Sequence, residues 1–391
     1  MKATLDVFRN EFHRIFALRP AFSVLIVATC LYAAFYPQPY VNEALRELPI
    51  AIVDRDGTLG SQELARRVDA TPDVAVTMAL PDLATAEREV FARRISGILV
   101  IPQYFERDLL HGRPSPVALY ADASYFLAYQ RISGGVSAVA RTFGAEVETA
   151  RLIAAGVDPA LAGAAADPMP LTAVALFNPQ AGYATYVLPA AFVLLLQQTL
   201  LIGVGLLGTL PGGQFRSRTG DVARAGAVAT VLGKLLAYLA LEALILPFYL
   251  IVLPYLYGLP RLGSAIEILI LAIPFVLAVG GLGLVVAAIF RDPLSVQLAF
   301  AAIGLPFFFL AGFAWPSESI PQAIRLAAVP VPSSAAIDGF VKISQLGAPL
   351  FDARSQFLTL WALAILYGCA ALALEAGSRR VRQSPNAVIS S

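Results

Sequence analysis

LLAYLALEALILPFYLIVL, residues 235–253, is almost pure hydrocarbon with one carboxylate, Glu242, close to its middle. A helix that crosses the roughly 30 Å apolar core of a bilayer needs about 20 mostly apolar residues, and this stretch has that length. The carboxylate is out of place by the same reasoning. An ionisable group at the centre of such a helix costs roughly 2.5 kcal/mol or more, so it is paired, protonated or functional.

The same composition recurs on both sides. The chain of 391 residues is 58% hydrophobic and 14% charged, with a mean hydropathy of +0.71, whereas soluble domains carry about 25% charged residues. Uncharged runs at 20–42, 168–215, 235–241 resuming at 243–260, 268–290, 293–317 and 355–374 predict six spans. The first follows Lys2, Arg9, Arg14 and Arg19 in the manner of a secretory signal. Its long polar leader, the closing Pro37 and Pro39 and the later spans argue for a retained anchor. Cys30 and Cys369 both fall in expected spans, where they read as small hydrophobes rather than a disulfide or metal pair.

Charge is sorted along the chain. Residues 37–185 hold 17 acidic and 12 basic side chains, and the remainder holds 10 acidic and 16 basic. Lysine and arginine accumulate on the cytoplasmic side of spans. With six spans, one side collects Lys2, Arg9, Arg14, Arg19, Arg216, Arg218, Arg224, Lys234, Arg291, Arg379, Arg380 and Arg382. The short segments of the other side collect only Arg261, Arg325, Lys342 and Arg354. Both termini are therefore expected in the cytoplasm.

The expected organisation is a cytoplasmic interfacial amphipathic helix at 1–19, a first transmembrane helix at 20–36 and an extracytoplasmic α/β domain at 37–184. Transmembrane helices two to six follow at 185–376, with an inside loop at 211–228 and an outer re-entrant segment at 313–350, before a cytoplasmic tail at 377–391. In the leader, KATLDVFRNEFHRIFALR places Leu5, Val7, Phe8, Phe12, Ile15 and Phe16 mostly on one helical side, a pattern suited to lying along a membrane surface. Within the insert, LPIAIVD, DVAVTMA, ISGILVIP and PVALYAD read as strands, and SQELARRVDA and DLATAEREVFARR as helices. A longer helical stretch from Tyr125 to about Ala155 is expected to be interrupted at Gly134 and Gly135. The segment GFAWPSESIPQAIRLAAVPVPSSAAIDGF, 312–340, is too apolar for an ordinary loop and too rich in proline for a span, which suggests short helices covered by protein.

Chemistry-bearing motifs are scarce. The string GAVATVLGKL differs from a phosphate-binding GxxxxGK[ST] loop in its spacing, in Leu235 where a hydroxyl belongs, and in having no strand before it. HExxH and GxSxG are absent, and two histidines, His13 and His111, do not build a catalytic zinc site. The inside loop PGGQFRSRTGDVARAGAVATVLGK offers Gly212 and Gly213 as a helix stop and Asp221 as a cap, surrounded by Arg216, Arg218 and Arg224. These arginines serve either docking or the positive-inside rule alone.

Three strings in this topological frame carry a resemblance: IAIVDRDGTLGSQELARRV with ISGILVIPQYFERDLLHGRPSPVALYADAS, GQFRSRTGDVARAGAVATVLGKLLAY, and LAGFAWPSESIPQAIRLAAVPVPSSAAIDGF. Together they resemble the type-2 ABC transporter permeases over nearly the whole chain. The resemblance implies a helical membrane protein with an inserted extracytoplasmic α/β domain, acting as the transport subunit of a bacterial inner-membrane exporter of drugs or other amphiphiles. It implies no ATPase site in this chain, with ATP and Mg bound by a separate ABC ATPase. An identical or sister permease would complete a dimer in the lipid membrane, and a periplasmic adaptor is a possible partner. No nucleic acid is expected. Coupling would run through the 213–227 loop, with Arg216, Arg218, Asp221 and Arg224, and through the leader.

Glu242 is expected at similar depth to Gln198 on the preceding span. One reading is a carboxyl hydrogen-bonded to Gln197, Gln198 or Tyr238, bridging two helices. The other places Glu242, with Gln197, Gln198 and Tyr238, on a substrate path that attracts cationic amphiphiles. Two other functions compete: an ion-coupled secondary transporter with Glu242 as proton relay, and a membrane scaffold or sensor with a ligand-binding outer domain.

Overall fold

In a computed structural model the chain is described over residues 1–42, 44–171, 173–180, 182–210, 225–290, 292–310 and 319–383, with side chains omitted at 303–305, 307–310 and 380–383. It divides into two compact units, one of Met1–Glu43 and Leu176–Ser391, the other of Ala44–Ala175.

Helix α1, Lys2–Ala17, opens the first unit, and its buried residues are Val7, Glu11 and Ile15, one per turn. The buried stripe is therefore not the aromatic one: Leu5 and Phe16 are about half exposed. Phe8 instead stacks on Phe12 with centroids 5.9 Å apart, and Phe16 lies tilted against Phe12 at 5.4 Å. The helix α2, Arg19–Tyr40, is long and apolar enough to cross a membrane, and it carries a π-helical turn at Ser23–Ala28.

The second unit contains a four-stranded sheet. Its elements are β1 Leu48–Asp54, α3 Leu59–Asp69, β2 Val74–Ala79, α4 Leu83–Phe91, β3 Gly97–Ile101, α5 Phe105–Leu110, β4 Ala118–Ala121, α6 Phe126–Ala154 and α7 Pro159–Ala166. The strand order is β2-β1-β3-β4, with β1 parallel to β2 and β3, and β4 antiparallel to β3. Central β1 is buried on both faces, which is why LPIAIVD shows an unbroken apolar run instead of alternation. Ile50, Ile52, Leu99 and Ile101 pack under Leu64, Val68, Ile132, Val136 and Phe143 of α3 and α6. Ala51, Val53 and Ile98 pack with Ala86 of α4 on the other face.

Helix α6 runs through Gly134 and Gly135 without a break, contrary to the interruption expected. Burial of Ile132, Val136 and Phe143 against the sheet outweighs the roughly 1 kcal/mol that each glycine costs a helix. At Gly135 a Cβ would meet the Asp73 side chain at 3.0 Å, so the small residue makes room for a neighbour.

The first unit resumes with α8 Tyr183–Thr209, α9 Ala227–Leu256, α10 Ala265–Phe290, α11 Pro293–Leu310, α12 Gln322–Ala328, α13 Pro332–Ser344 and α14 Arg354–Gln383. Among the described residues five helices (α2, α8, α9, α10 and α14) are long and apolar enough to span a bilayer, or six if α12 and α13, bent by 91°, count as one span. The span expected at 293–317 corresponds to α11 only in part, because 311–318 lie outside the described residues. Helices α8 and α10 form the interior, with 78% and 67% of their apolar windows buried, against 28% for α2 and 22% for α14. Small residues allow the close contact: a Cβ on Gly283 of α10 would lie 2.8 Å from Val204 of α8.

Candidate functional site

At one end of the bundle, charged side chains of two helices reach across to hold others. Glu11 and Arg14 lie one turn apart on α1 and pair at 2.7 Å, with side chains only 1% and 11% exposed. The Tyr238 hydroxyl on α9 donates to Glu11 Oε1 at 2.7 Å. Arg14 Nη2 donates to the carbonyl of Leu207 at 2.7 Å. That carbonyl has no partner within α8, because the residue four positions on is Pro211, which has no N–H. Gly233 lets α1 settle on α9: a Cβ there would lie 2.7 Å from both the Thr4 carbonyl oxygen and Val7 Cβ.

The last helix makes a matching arrangement. Arg379 on α14 pairs with Glu375 at 2.8 Å, donates to the carbonyl of Ala225, and donates to Thr230 Oγ1 at 2.9 Å. Ala225 is buried and packs with Val7 of α1. Leader helix, the two stems of the 211–224 segment and the end of α14 thus share one end of the unit. Arg216, Arg218, Asp221 and Arg224 themselves lie outside the described residues.

At the opposite end, α13 is tied from several sides. Gln197 caps its first turn, donating to Ser333 Oγ at 3.0 Å and accepting from the Ser333 amide at 2.7 Å. The amides of Leu262 and Gly263 both donate to the Ser344 carbonyl, at 2.9 and 3.2 Å. Gln345 donates to the carbonyl of Thr185, and Gln38 donates to the Tyr257 hydroxyl at 3.1 Å.

The expected hydrogen bond from Glu242 to Gln197, Gln198 or Tyr238 is not formed. Gln197 is engaged with Ser333, Gln198 donates to the carbonyl of Phe300 at 3.0 Å, and Tyr238 turns to Glu11. Equal depth does not fix facing, since each helical residue turns by about 100°. Glu242 is 3% exposed, and its Oε2 is enclosed with no hydrogen-bond partner among the described residues. One turn below it on α9 is Tyr238, and two turns above it Tyr249 donates to the Thr29 carbonyl of α2 at 2.5 Å. Tyr249 lies in the π-helical turn Phe248–Val252 that follows Pro247. Glu11 is the residue that sequence reasoning missed. Its signal was a carboxylate between Val7 and Ile15 on a four-residue spacing, the same anomaly that singled out Glu242.

The second unit holds its own polar turn after β1. Asp54 Oδ1 accepts from the amides of Asp56 and Gly57 at 2.9 and 3.0 Å. Asp54 Oδ2 accepts from the Ser61 hydroxyl at 2.7 Å. Asp56 Oδ2 accepts from the Thr58 hydroxyl at 2.6 Å and from the Glu106 amide at 3.1 Å. Partial desolvation pushes the Asp56 carboxyl up, but bonds from Thr58 and the amides of Glu106, Tyr104 and Phe105 outweigh it and hold it below the usual carboxylate range. Every acceptor oxygen named here is occupied within the chain, so the turn is a structural staple between β1 and α5.

Apolar helices of this number and length, tied by sparse buried polar contacts, define a multi-pass helical membrane protein. The profile of the family described as ABC-2 family transporter protein matches residues 21–373, and the chain belongs to that family. Over 400 residues the chain is 24% identical to the linearmycin resistance permease protein LnrN of Bacillus subtilis (strain 168), covering 98% of this chain and all of that one. Over 161 residues it is 26% identical to the probable multidrug ABC transporter permease YbhS of Escherichia coli (strain K12), covering 40% of this chain and 42% of that one. Members of the family are transport subunits rather than catalytic ones, and they work with an ABC ATPase partner.

Proposed function

We propose that this chain is the permease subunit of an ATP-driven exporter that moves a hydrophobic or amphipathic substrate outward across the bacterial inner membrane. The observation that carries the reading is the convergence of α1, both stems of 211–224 and the end of α14 at one end of the bundle. Such an end suits a seat for a separate ATPase, which would bind ATP and Mg, with Arg216, Arg218, Asp221 and Arg224 at the contact. The twelve basic residues on that side favour its lying in the cytoplasm with both termini. The 44–175 unit is then extracytoplasmic, and the bent pair α12 and α13 is a re-entrant segment of the outer leaflet.

The poorly covered faces of α2 and α14 leave apolar surface for lipid and for an identical or sister permease. The names of the relatives, linearmycin resistance and multidrug, support an amphiphilic substrate. A periplasmic adaptor would meet the outer unit. Of Glu242, Gln197, Gln198 and Tyr238, three spend their polar atoms on neighbouring helices. Glu242 keeps a fully enclosed oxygen without a partner among the described residues, and we retain it as the substrate-path candidate.

Sidedness is the testable core. In a background lacking Cys30 and Cys369, single cysteines at Ser115 and Ser124 are expected to react with an impermeant maleimide in intact cells. Ser61 is fully buried and unsuitable. Cysteines at Ser217 and Ser384 are expected to react only after permeabilisation, and the reverse pattern would end the exporter reading.

A further inference from the structure

Resting on that reading for the meaning of the 211–224 segment, we infer that Arg14 and Arg379 are positioning residues that clamp its two stems, each bridging a carboxylate on its own helix to a backbone carbonyl of the stem. On one side Arg14 joins Glu11 to the Leu207 carbonyl. On the other, Arg379 joins Glu375 to the Ala225 carbonyl and adds Thr230. The two stems precede and follow the same segment, and the two arginines come from the first and last helices of the described chain. The Leu207 acceptor exists because Pro211 has no N–H to offer it.

The geometry requires guanidinium. Arg14 uses separate nitrogens for Glu11 and Leu207, and Arg379 uses three for Glu375, Ala225 and Thr230. A lysine ammonium is a compact point charge without that fixed fork, whereas as a positive-inside signal lysine serves equally well. The clamp and the bland role of a topology signal therefore differ in what Arg→Lys does. Because Glu11 also holds Tyr238, displacement of the segment would move α1, α8, α9 and α14 together rather than one hairpin alone.

The test uses the purified full chain in detergent micelles and brief trypsin treatment. Cleavage after Arg216, Arg218 and Arg224 is quantified by mass spectrometry against cleavage after the exposed Arg93, in the turn that follows α4. Arg379→Gln, and separately the neutral pair Glu11→Gln with Arg14→Gln, are expected to accelerate cleavage in the segment about tenfold, the scale of one lost charged hydrogen bond on a local opening equilibrium. Arg379→Lys should fall between wild type and Arg379→Gln, and Arg261→Gln at the opposite end should match wild type. Melting of each variant in the same micelles guards against general unfolding, and if the Glu11/Arg14 pair does not fold, Arg379→Gln decides alone. Wild-type cleavage rates in Arg379→Gln, or a silent Arg379→Lys beside an accelerated Arg379→Gln, would overturn the clamp. The readout needs no ATPase: accelerated cleavage in a protein that captures no ATPase supports the clamp while the docking reading falls. Unchanged cleavage in a protein that does capture one overturns the clamp alone.

Discussion

The two units use the same ion pair for different ends. In the 44–175 unit, Glu63 pairs with Arg66 and Arg67, Glu89 with Arg94 and Glu148 with Arg151, all close in sequence and at the surface, and the pairs that reach further, Arg67 with Glu146 and Arg131 with Asp73, are part exposed as well. Arg66 is 77% exposed. Water screens such pairs, and helix pairs of this spacing add little. In the helical unit Glu11 and Arg14 are just as close in sequence, but they are buried, and their remaining bonds reach Tyr238 and Leu207, 227 and 193 residues away. Where charge is scarce and water is excluded, one pair ties three helices. The contrast teaches that the number of ion pairs says little about a unit, whereas the burial of a pair, together with where its spare hydrogen bonds go, says a great deal.

The sharpest way to break this contrast is Glu11→Ala set beside Glu63→Ala. Removing Glu11 leaves Arg14 as an uncompensated buried charge and strips Tyr238 of its acceptor, a change that costs about 3–5 kcal/mol. The expected outcome is a clear fall in the melting temperature of the purified protein, or its loss from the monodisperse peak in size-exclusion chromatography. Glu63→Ala should leave both unchanged. If the two variants melt alike, the buried pair is no more than a surface pair that happens to be covered.

Local periodicity made the 44–175 unit legible. The run LPIAIVD is β1 over the same seven residues, and Thr58 and Asp82 accept from the amides of Ser61 and Thr85 as helix caps, as their residue types suggest. The break expected at Gly134 and Gly135 misjudged α6, because propensity is a weak prior against a helix face that covers a sheet. In the helical unit, length and hydropathy located the long helices but carried no rotation. An all-round apolar helix has no moment to say which way Gln197, Tyr238 or Glu242 faces. Hence Gln197 is found capping α13, and Glu11, passed over beside the more conspicuous phenylalanines, is found at the centre of the leader's contact.

An effect of intermediate size belongs to the 44–175 side of the contrast, at Asp56. Its carboxyl is held below the usual range by bonds from Thr58 and from the amides that begin α5, against the opposing push of partial desolvation. A carboxylate whose folded value is lowered contributes stability that is fully present above its unfolded value, about 3.9, and is lost as pH falls through the folded one. Asp56→Asn should therefore speed amide exchange in α5 several-fold at pH 7, on the order of 1 kcal/mol after solvent screening. Corrected for intrinsic rates, the ratio of variant to wild type should shrink towards one as the solution is acidified through the carboxylate range. A ratio that stays constant with pH would show that Asp56 acts by shape and not by charge.

The smallest effect on stability, and the one that bears most on function, is expected at Glu242. Its Oε2 is enclosed without a partner among the described residues, while Tyr238 below it and Tyr249 above it are committed to α1 and α2. Glu242→Gln keeps the volume and places an amide where a carboxyl stood, so no hydrogen bond to Gln197, Gln198 or Tyr238 is lost, because none is made. Melting should stay within about 0.5 kcal/mol of wild type, the range of substitutions that disturb no named interaction. Glu242→Ala should cost more, because it opens a cavity in a packed helix interface. Export separates the two roles that the carboxylate can have. If Glu242 lies on the substrate path, Glu242→Gln should export cationic amphiphiles poorly and neutral ones at the wild-type rate, since only the charge has gone. If cation export is untouched, the carboxylate fills space between helices, and the substrate path must be sought on another face of α9.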